Sequence, residues 1–396
     1  MHVVPSRFDF SAIAPAMQRY VDRKILSGVS SAILHGQDLV HSQAVGWADI
    51  ENQIPLRHDH LFRVFSNTKL VTSIAVMQLV EDGLITLDDT IETYLPQLGK
   101  RRVLRPGATD INDTEPARSS ITVRQLLTHT SGLSYGLLDH GSTIYQAYVA
   151  AKVLNAFEPL STLIDVLEPL PLSFHPGTKW EYSIASDVLA RLVEVVSGDD
   201  FDVYLHARIF SPLGMNDSSF WLAPHKHARL AAYYAGSDPM NVLNRDLKRL
   251  EKSPYPDAFL KPIPRFSGGG GLVSSMADML ALMRSFLPGG TTILRPESRQ
   301  LMMKNHLPAG WGIAFPGVGD VPGKGFGFGG AVTINPGEND PQSAHDEFEW
   351  GGIAGTHWWI SPRHNMAGLL MTQRQMAFWH PYSFEFKKLA YQAMLS

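Results

Sequence analysis

Runs with strand character cluster near the two ends of this 396-residue chain, and helical patterning fills the stretch from about 84 to 265 between them. Strands need partners, so the terminal runs must find one another across that helical stretch. The arrangement predicts one sheet assembled from both termini with an all-helical lobe inserted, an α/β (α+β) fold with a mostly antiparallel sheet flanked by helices. Residues 1–85 with 266–396 are expected to form the sheet lobe and residues 86–265 the helical lobe, with the active site in the cleft between them.

At the N-terminal end, Phe10, Ile13, Met17, Tyr20, Val21 and Ile25 form a helical stripe within residues 9–27, which Gly28 ends. Ser30 to Leu34 and Leu39 to Val45 read as a hairpin about His35-Gly36-Gln37, and Phe62 to Phe65 as a third short extended piece. From Ser66 the period changes to that of a helix, with Leu70, Ile74, Met77 and Val80 on one face and Gly83 as its stop. In the middle, helices are expected over 123–128, 144–156, 161–167, 184–196 and 201–210. Two long polar excursions, Arg101 to Ser120 and Asp238 to Arg265, read as loops that wall a cleft. Beyond Gly268-Gly269-Gly270-Gly271 come a helix over 276–286, short strands near 311–315, 348–351, 356–360 and 366–371, and a closing helix over 384–394.

Composition narrows the chemistry. There is no cysteine, which excludes disulfides, thiolate metal sites and a Cys nucleophile. With 34 basic against 38 acidic residues and no basic run, nucleic acid is not an expected partner. Apolar stretches stop well short of the roughly 18 residues a spanning helix needs, so no membrane span is expected. The start, Met1 to Arg7, lacks a basic segment followed by an apolar one, so the expected location is the cytoplasm.

Three sites carry candidate chemistry. In Ser66-Asn67-Thr68-Lys69, the only Ser-x-x-Lys of the chain, a serine at a helix start has an amine three residues on, along the same face. A serine hydroxyl is a weak nucleophile until a neighbouring base takes its proton. Tyr182, just ahead of a helix, can project into a cleft as a phenolic base. Trp350-Gly351-Gly352-Ile353 ends a strand. Its glycines let a substrate or another backbone approach, and the N–H that follows can face a developing oxyanion.

In this order and with further matches at Leu126 to Leu133, Pro176-Gly177 with Trp180, Ile209 to Met215 and Gly269 to Leu272, the chain resembles the penicillin-recognising serine hydrolases. It is most similar to the family VIII carboxylesterases related to class C β-lactamases, over roughly residues 10 to 390. The resemblance implies a β-lactamase/transpeptidase-like fold and an acyl-enzyme on Ser66. It implies Lys69 and Tyr182 as joint proton acceptors, and the backbone N–H groups of Ser66 and Ile353 as oxyanion hole. Tyr135, Trp350, Gly351, Gly352 and His357 are expected near the substrate, with no cofactor and no metal. Two departures bear on specificity. The lactamases' Tyr-x-Asn is Tyr182-Ser183-Ile184 here, and their Lys-Thr-Gly is Trp350-Gly351-Gly352, which removes a cation that would meet an anionic lactam. Both point away from anionic β-lactams and towards uncharged esters, and the resemblance implies a short acyl group. A β-lactamase, D-amino-acid peptidase or acyltransferase on the same site, or a catalytically silent ligand-binding relative, stays open, as does the oligomeric state.

Other signals compete. Gly132-Leu133-Ser134-Tyr135-Gly136 matches Gly-x-Ser-x-Gly, but that elbow needs a strand before the serine and a helix after it. Here a short helix precedes, and a turn lining the cleft is the expected role. His58-Asp59-His60 lacks a third ligand at metal spacing and reads as solvated surface histidines. The glycine run is followed by no Lys-Ser/Thr and reads as a turn packed behind the nucleophile helix. Trp180, Trp350, Trp358 and Trp359 are left unsorted between cleft and core.

Overall fold

The computed structural model describes residues 2–238, 241–316, 319–378 and 381–395. Its centre is an eight-stranded antiparallel sheet. The N-terminal part supplies β1 (Gly28–His35), β2 (Asp38–Asp49) and β3 (Ile54–Pro55). The C-terminal part supplies β4 (Lys324–Phe326), β5 (Ala331–Thr333), β6 (Phe348–Gly351), β7 (His357–Ser361) and β8 (Met366–Thr372). The spatial order is β4-β5-β6-β7-β8-β1-β2-β3. The two halves of the chain meet at β8 and β1, in register from Val29 opposite Thr372 to His35 opposite Met366.

Both faces of this sheet are covered, which is why β8 is buried throughout rather than alternating polar and apolar. On one face Ile33, Trp359 and Leu370 pack with α1 (Ile13–Asp22) and the closing helix α5 (Pro381–Leu395). On the other, Leu34, Trp358 and Leu369 join α2 (Thr68–Glu81), α3 (Ala185–Ser197) and α4 (Met276–Arg284) in a single continuous core. Adjacent Trp358 and Trp359 therefore serve opposite sides of the sheet, and both are core residues.

The helix that begins behind Ser66 is not amphipathic as the stripe predicts. Thr68 to Leu79 are buried without a break, because α2 runs through the middle of the protein with packing on every side. The first helix is shorter than expected, and 144–156 is helical only over Thr143–Ala150; Lys152, at φ 56°, lies beyond its end. Phe62 belongs to a small separate ladder, Leu61–Arg63 against Val273–Ser275, rather than to the main sheet. Of the expected loops, Arg101 to Ser120 contains a hairpin, Arg102–Leu104 with Thr114–Pro116. Asp238 to Arg265 is mostly irregular, and Pro239 and Met240 within it lie outside the described residues. His60 is buried and accepts the Arg57 N–H at 3.0 Å, so it is a local structural group rather than a solvated one. No described helix is long and apolar enough to cross a membrane.

Candidate active site

The Leu61–Arg63 ladder delivers the chain to Ser66. Val64 still bonds across it, donating its N–H to Leu272 at 3.1 Å. Phe65 then takes a positive φ of 43°, a costly conformation for an aromatic residue, and starts a short 3-10 turn over Phe65–Asn67 that runs into α2. The turn leaves Ser66 half-buried at the buried head of the helix.

Lys69, one turn on and only 1% exposed, points back along the same face. Its Nζ donates to Ser66 Oγ at 3.4 Å and to the Gly269 carbonyl at 2.6 Å. Tyr182 comes from the segment leading into α3, and its phenol donates to Ser66 Oγ at 2.8 Å. The tyrosine ring is held by stacking on Tyr135, with centroids 5.4 Å apart and planes 15° apart, and by Trp180 and His129. Lys69 Nζ stands 4.6 Å from the centre of the Tyr182 ring and 5.3 Å from that of Tyr135. His129 Nδ1 accepts the Ser183 N–H at 3.2 Å, and burial with Lys69 nearby holds this imidazole well below its usual pKa, hence neutral.

The segment after β6 closes the site. Gly351 ends the strand, the Gly352 N–H bonds the Thr356 carbonyl at 2.6 Å, and the turn presses against the backbone ahead of Ser66. A Cβ on Gly352 would stand 2.3 Å from the Val64 carbonyl oxygen, so only glycine allows this approach. Ser66 and Ile353 thereby come to line one small cavity of about 30 Å³, with Leu137, Leu138, Tyr182, Phe315, Trp350, Gly351 and Phe378. Among the described residues no Lys or Arg lines it. A second chamber of about 540 Å³ shares Leu137 and Ile353 with it and is walled by rings, including Phe65, Tyr135, Tyr233, Tyr255 and Phe259.

The arrangement matches the Beta-lactamase family over residues 13–380. The chain belongs to that family. It is similar to Esterase EstB of Burkholderia gladioli, at 31% identity over 89% of this chain and 86% of the other. It is also similar to the lovastatin esterase of Penicillium rubens, at 32% identity over 80% of each. The fold is shared with EstCE1, described as a hydrolase with promiscuous acyltransferase activity, at a TM-score of 0.80 and 24% identity over 96% of this chain and 98% of that one. As a member of the Beta-lactamase family with esterase relatives, the protein is a serine hydrolase.

Within this family member the structure brings Ser66, Tyr182, Ile353, Trp350 and Gly351 together at the cavity, with Lys69 behind Ser66 and Tyr135 behind Tyr182. It does not bring Gly352 or His357 there. Gly352 is spent on the approach to Val64, and His357 is buried on β7 with Nε2 3.5 Å from the Glu349 carboxylate. Burial also pulls the His357 imidazole down to about 4. Ser134 sits between two helices with no strand before it; its N–H donates to Tyr148 and its carbonyl accepts from Ile184. Leu137, Leu138, Phe315 and Phe378 also line the cavity, and nothing in an isolated apolar residue marks it for a cavity. Asp187, a fully buried carboxylate beside the glycine run, has one sequence signal: an acid three residues after Ile184 and just before Val188 interrupts an apolar stripe.

Proposed function

We propose that this protein hydrolyses small carboxylic esters with short acyl groups, through an acyl-enzyme on Ser66. The observation that carries the reading is the convergence of two potential proton acceptors, Tyr182 Oη at 2.8 Å and Lys69 Nζ at 3.4 Å, on one serine oxygen. Tyr182 passes its phenolic proton to a neutral Lys69 and takes the serine proton as Oγ attacks the acyl carbon, so the two residues accept one proton jointly. The carbonyl oxygen then gains charge between the N–H groups of Ser66 and Ile353, neither of which is engaged in a turn or loop hydrogen bond among the described residues. Collapse expels the alcohol, which recovers the proton, and water repeats the sequence to release the acid.

The size of the spaces supports the specificity. The cavity beside Ser66 is small, about 30 Å³, and is walled mainly by apolar groups, which supports a short acyl chain over a long one. The ring-walled chamber next to it suits the alcohol. With Trp350 where the lactamases of this superfamily carry a lysine, an anionic substrate gains no ion pair from that position. The esterase names of two relatives agree with this choice.

A second reading, acyl transfer to an alcohol on the same intermediate, is favoured by that larger chamber, since an acceptor could occupy it in place of water. The test is turnover of nitrophenyl acetate, butyrate and octanoate beside a chromogenic cephalosporin. The ester reading expects the two short esters to be turned over fastest. Faster cephalosporin or octanoate turnover would sink it.

A further inference from the structure

The rings that wall the larger chamber touch one another from the protein surface to the residue before the nucleophile. Phe157 meets Tyr255 with centroids 5.3 Å apart, and Tyr255 stacks on Phe259 at 6.5 Å. Phe259 meets Phe65 edge-on at 6.0 Å, and Phe65 directly precedes Ser66. Tyr233 completes the inner wall, 5.7 Å from Phe65.

The inner rings are held from behind. The Arg63 guanidinium stands 5.7 Å from the centre of Tyr233 and 5.8 Å from that of Phe259. It is itself tied to the Ala231 carbonyl at 2.8 Å and to Gln373 at 3.3 Å. Both rings line the chamber and Arg63 does not, so the inner wall keeps its shape without a ligand.

The outer end is different. Phe157 is 59% exposed, the most exposed large apolar side chain among the described residues, and Leu154 close by is 44% exposed. A single exposed apolar residue needs no explanation, but two on the rim of one ring-walled chamber form a surface for an occupant to cover. Charge narrows what that occupant is. Among the described residues the wall carries two charged groups of opposite sign, Asp187 and Arg265, and Arg265 donates to the carbonyls of Glu158 and Val153 at 3.0 and 2.7 Å. The chamber therefore presents ring faces and edges and no net charge, and aromatic neighbours favour another ring over an aliphatic chain.

We propose that the alcohol part of the substrate carries an uncharged aromatic ring system, and that Phe157 and Tyr255 clamp its outer end and set the preference for it. The proposal rests on the reading of this protein as an ester hydrolase with the alcohol in the larger chamber.

The experiment is kcat/KM for ethyl, benzyl and naphthylmethyl butyrate in the wild-type protein, Phe157→Ala and Phe157→Leu. The three esters share one acyl group and release alcohols of similar acidity, so the ring is the main variable. In the wild-type protein the naphthylmethyl ester is expected to exceed the ethyl ester by about tenfold, with the benzyl ester between them. Phe157→Ala is expected to lower that ratio by about fivefold, and Phe157→Leu, which keeps apolar bulk without a ring, by nearly as much. A merely structural defect lowers all three values together and leaves the ratio in place; the exposure of Phe157 makes both variants compatible with folding. Ethyl naphthylacetate, with the ring on the acyl side, is expected to be slower than naphthylmethyl butyrate. A wild-type ratio near one, a ratio unmoved in both variants, or faster turnover of ethyl naphthylacetate overturns the proposal while Ser66 keeps its role. A folded protein that turns over none of these esters overturns the ester reading as well.

Discussion

The phenolic oxygen of Tyr182 stands 2.8 Å from Ser66 Oγ, closer than Lys69 Nζ at 3.4 Å, although 116 positions separate the tyrosine from the serine and only three separate the lysine. The better-placed partner is thus the one supplied by the fold rather than by the local helix. Its ring is fixed independently of its hydroxyl, by Tyr135, Trp180 and His129.

Tyr182→Phe keeps that ring packing and removes only the proton acceptor. The expected result is a fall in kcat of about 10²–10⁴ with an unchanged melting temperature. Ester turnover at purified wild-type and variant protein checks it, and a loss of less than about tenfold would assign the base to Lys69 alone.

The Ile353 N–H, the proposed oxyanion donor, follows directly on the close passage of Gly352 over Val64. Gly352→Ala places a methyl group 2.3 Å from the Val64 carbonyl oxygen, so the turn must move and the donor with it. Loss of one such donor typically costs about 10²–10³ in kcat, and KM should change much less. Steady-state kinetics on a short nitrophenyl ester measures both; a drop confined to KM would remove Ile353 from this role.

Strand β6 turns Trp350 toward the cavity and Glu349 the other way, into a buried ionic group. Lys387 Nζ bonds Glu347 at 2.7 Å, Glu349 at 2.7 Å and Asp340 at 3.0 Å, and Lys324 bonds Asp340 and Glu349. Three carboxylates face two ammonium groups, since His357 is neutral, so one proton would balance the charge. Burial, with Glu349 alongside and only partly offset by Lys387, raises Glu347 to about 7 from an ordinary 4.5. Its proton is therefore bound more tightly in the folded chain than in the unfolded one, and the stability it contributes is full below about 4.5 and lost as pH rises through about 7. Glu347→Gln should flatten the decline of melting temperature between these values relative to wild type. Parallel slopes in the two proteins would contradict the assignment.

Much of this site was legible because its residues sit next to backbone signals. Ser66 and Lys69 share one helical turn, Tyr182 precedes a helix, and Gly351-Gly352 ends a strand, so spacing and glycine usage mark them as candidates, and the resemblance to a known family joins them into one site. Legibility failed where position depends on distant chain. β4 and β5 are three-residue strands set among glycines, and only pairing with each other and of β5 with β6 makes them strands. The α2 stripe reads as one-sided because sequence shows which residues are apolar but not that packing surrounds the helix. His357 lies opposite Gly351 in the ladder, close to the site in register, yet it is drawn to Glu349.

The central claim is that Ser66 is the nucleophile, and covalent labelling tests it most directly. A fluorophosphonate probe applied to the folded protein should add once, with peptide mapping placing the adduct on Ser66 and Ser66→Ala abolishing it. An adduct on Ser134, or a folded protein that takes no label, would contradict the account.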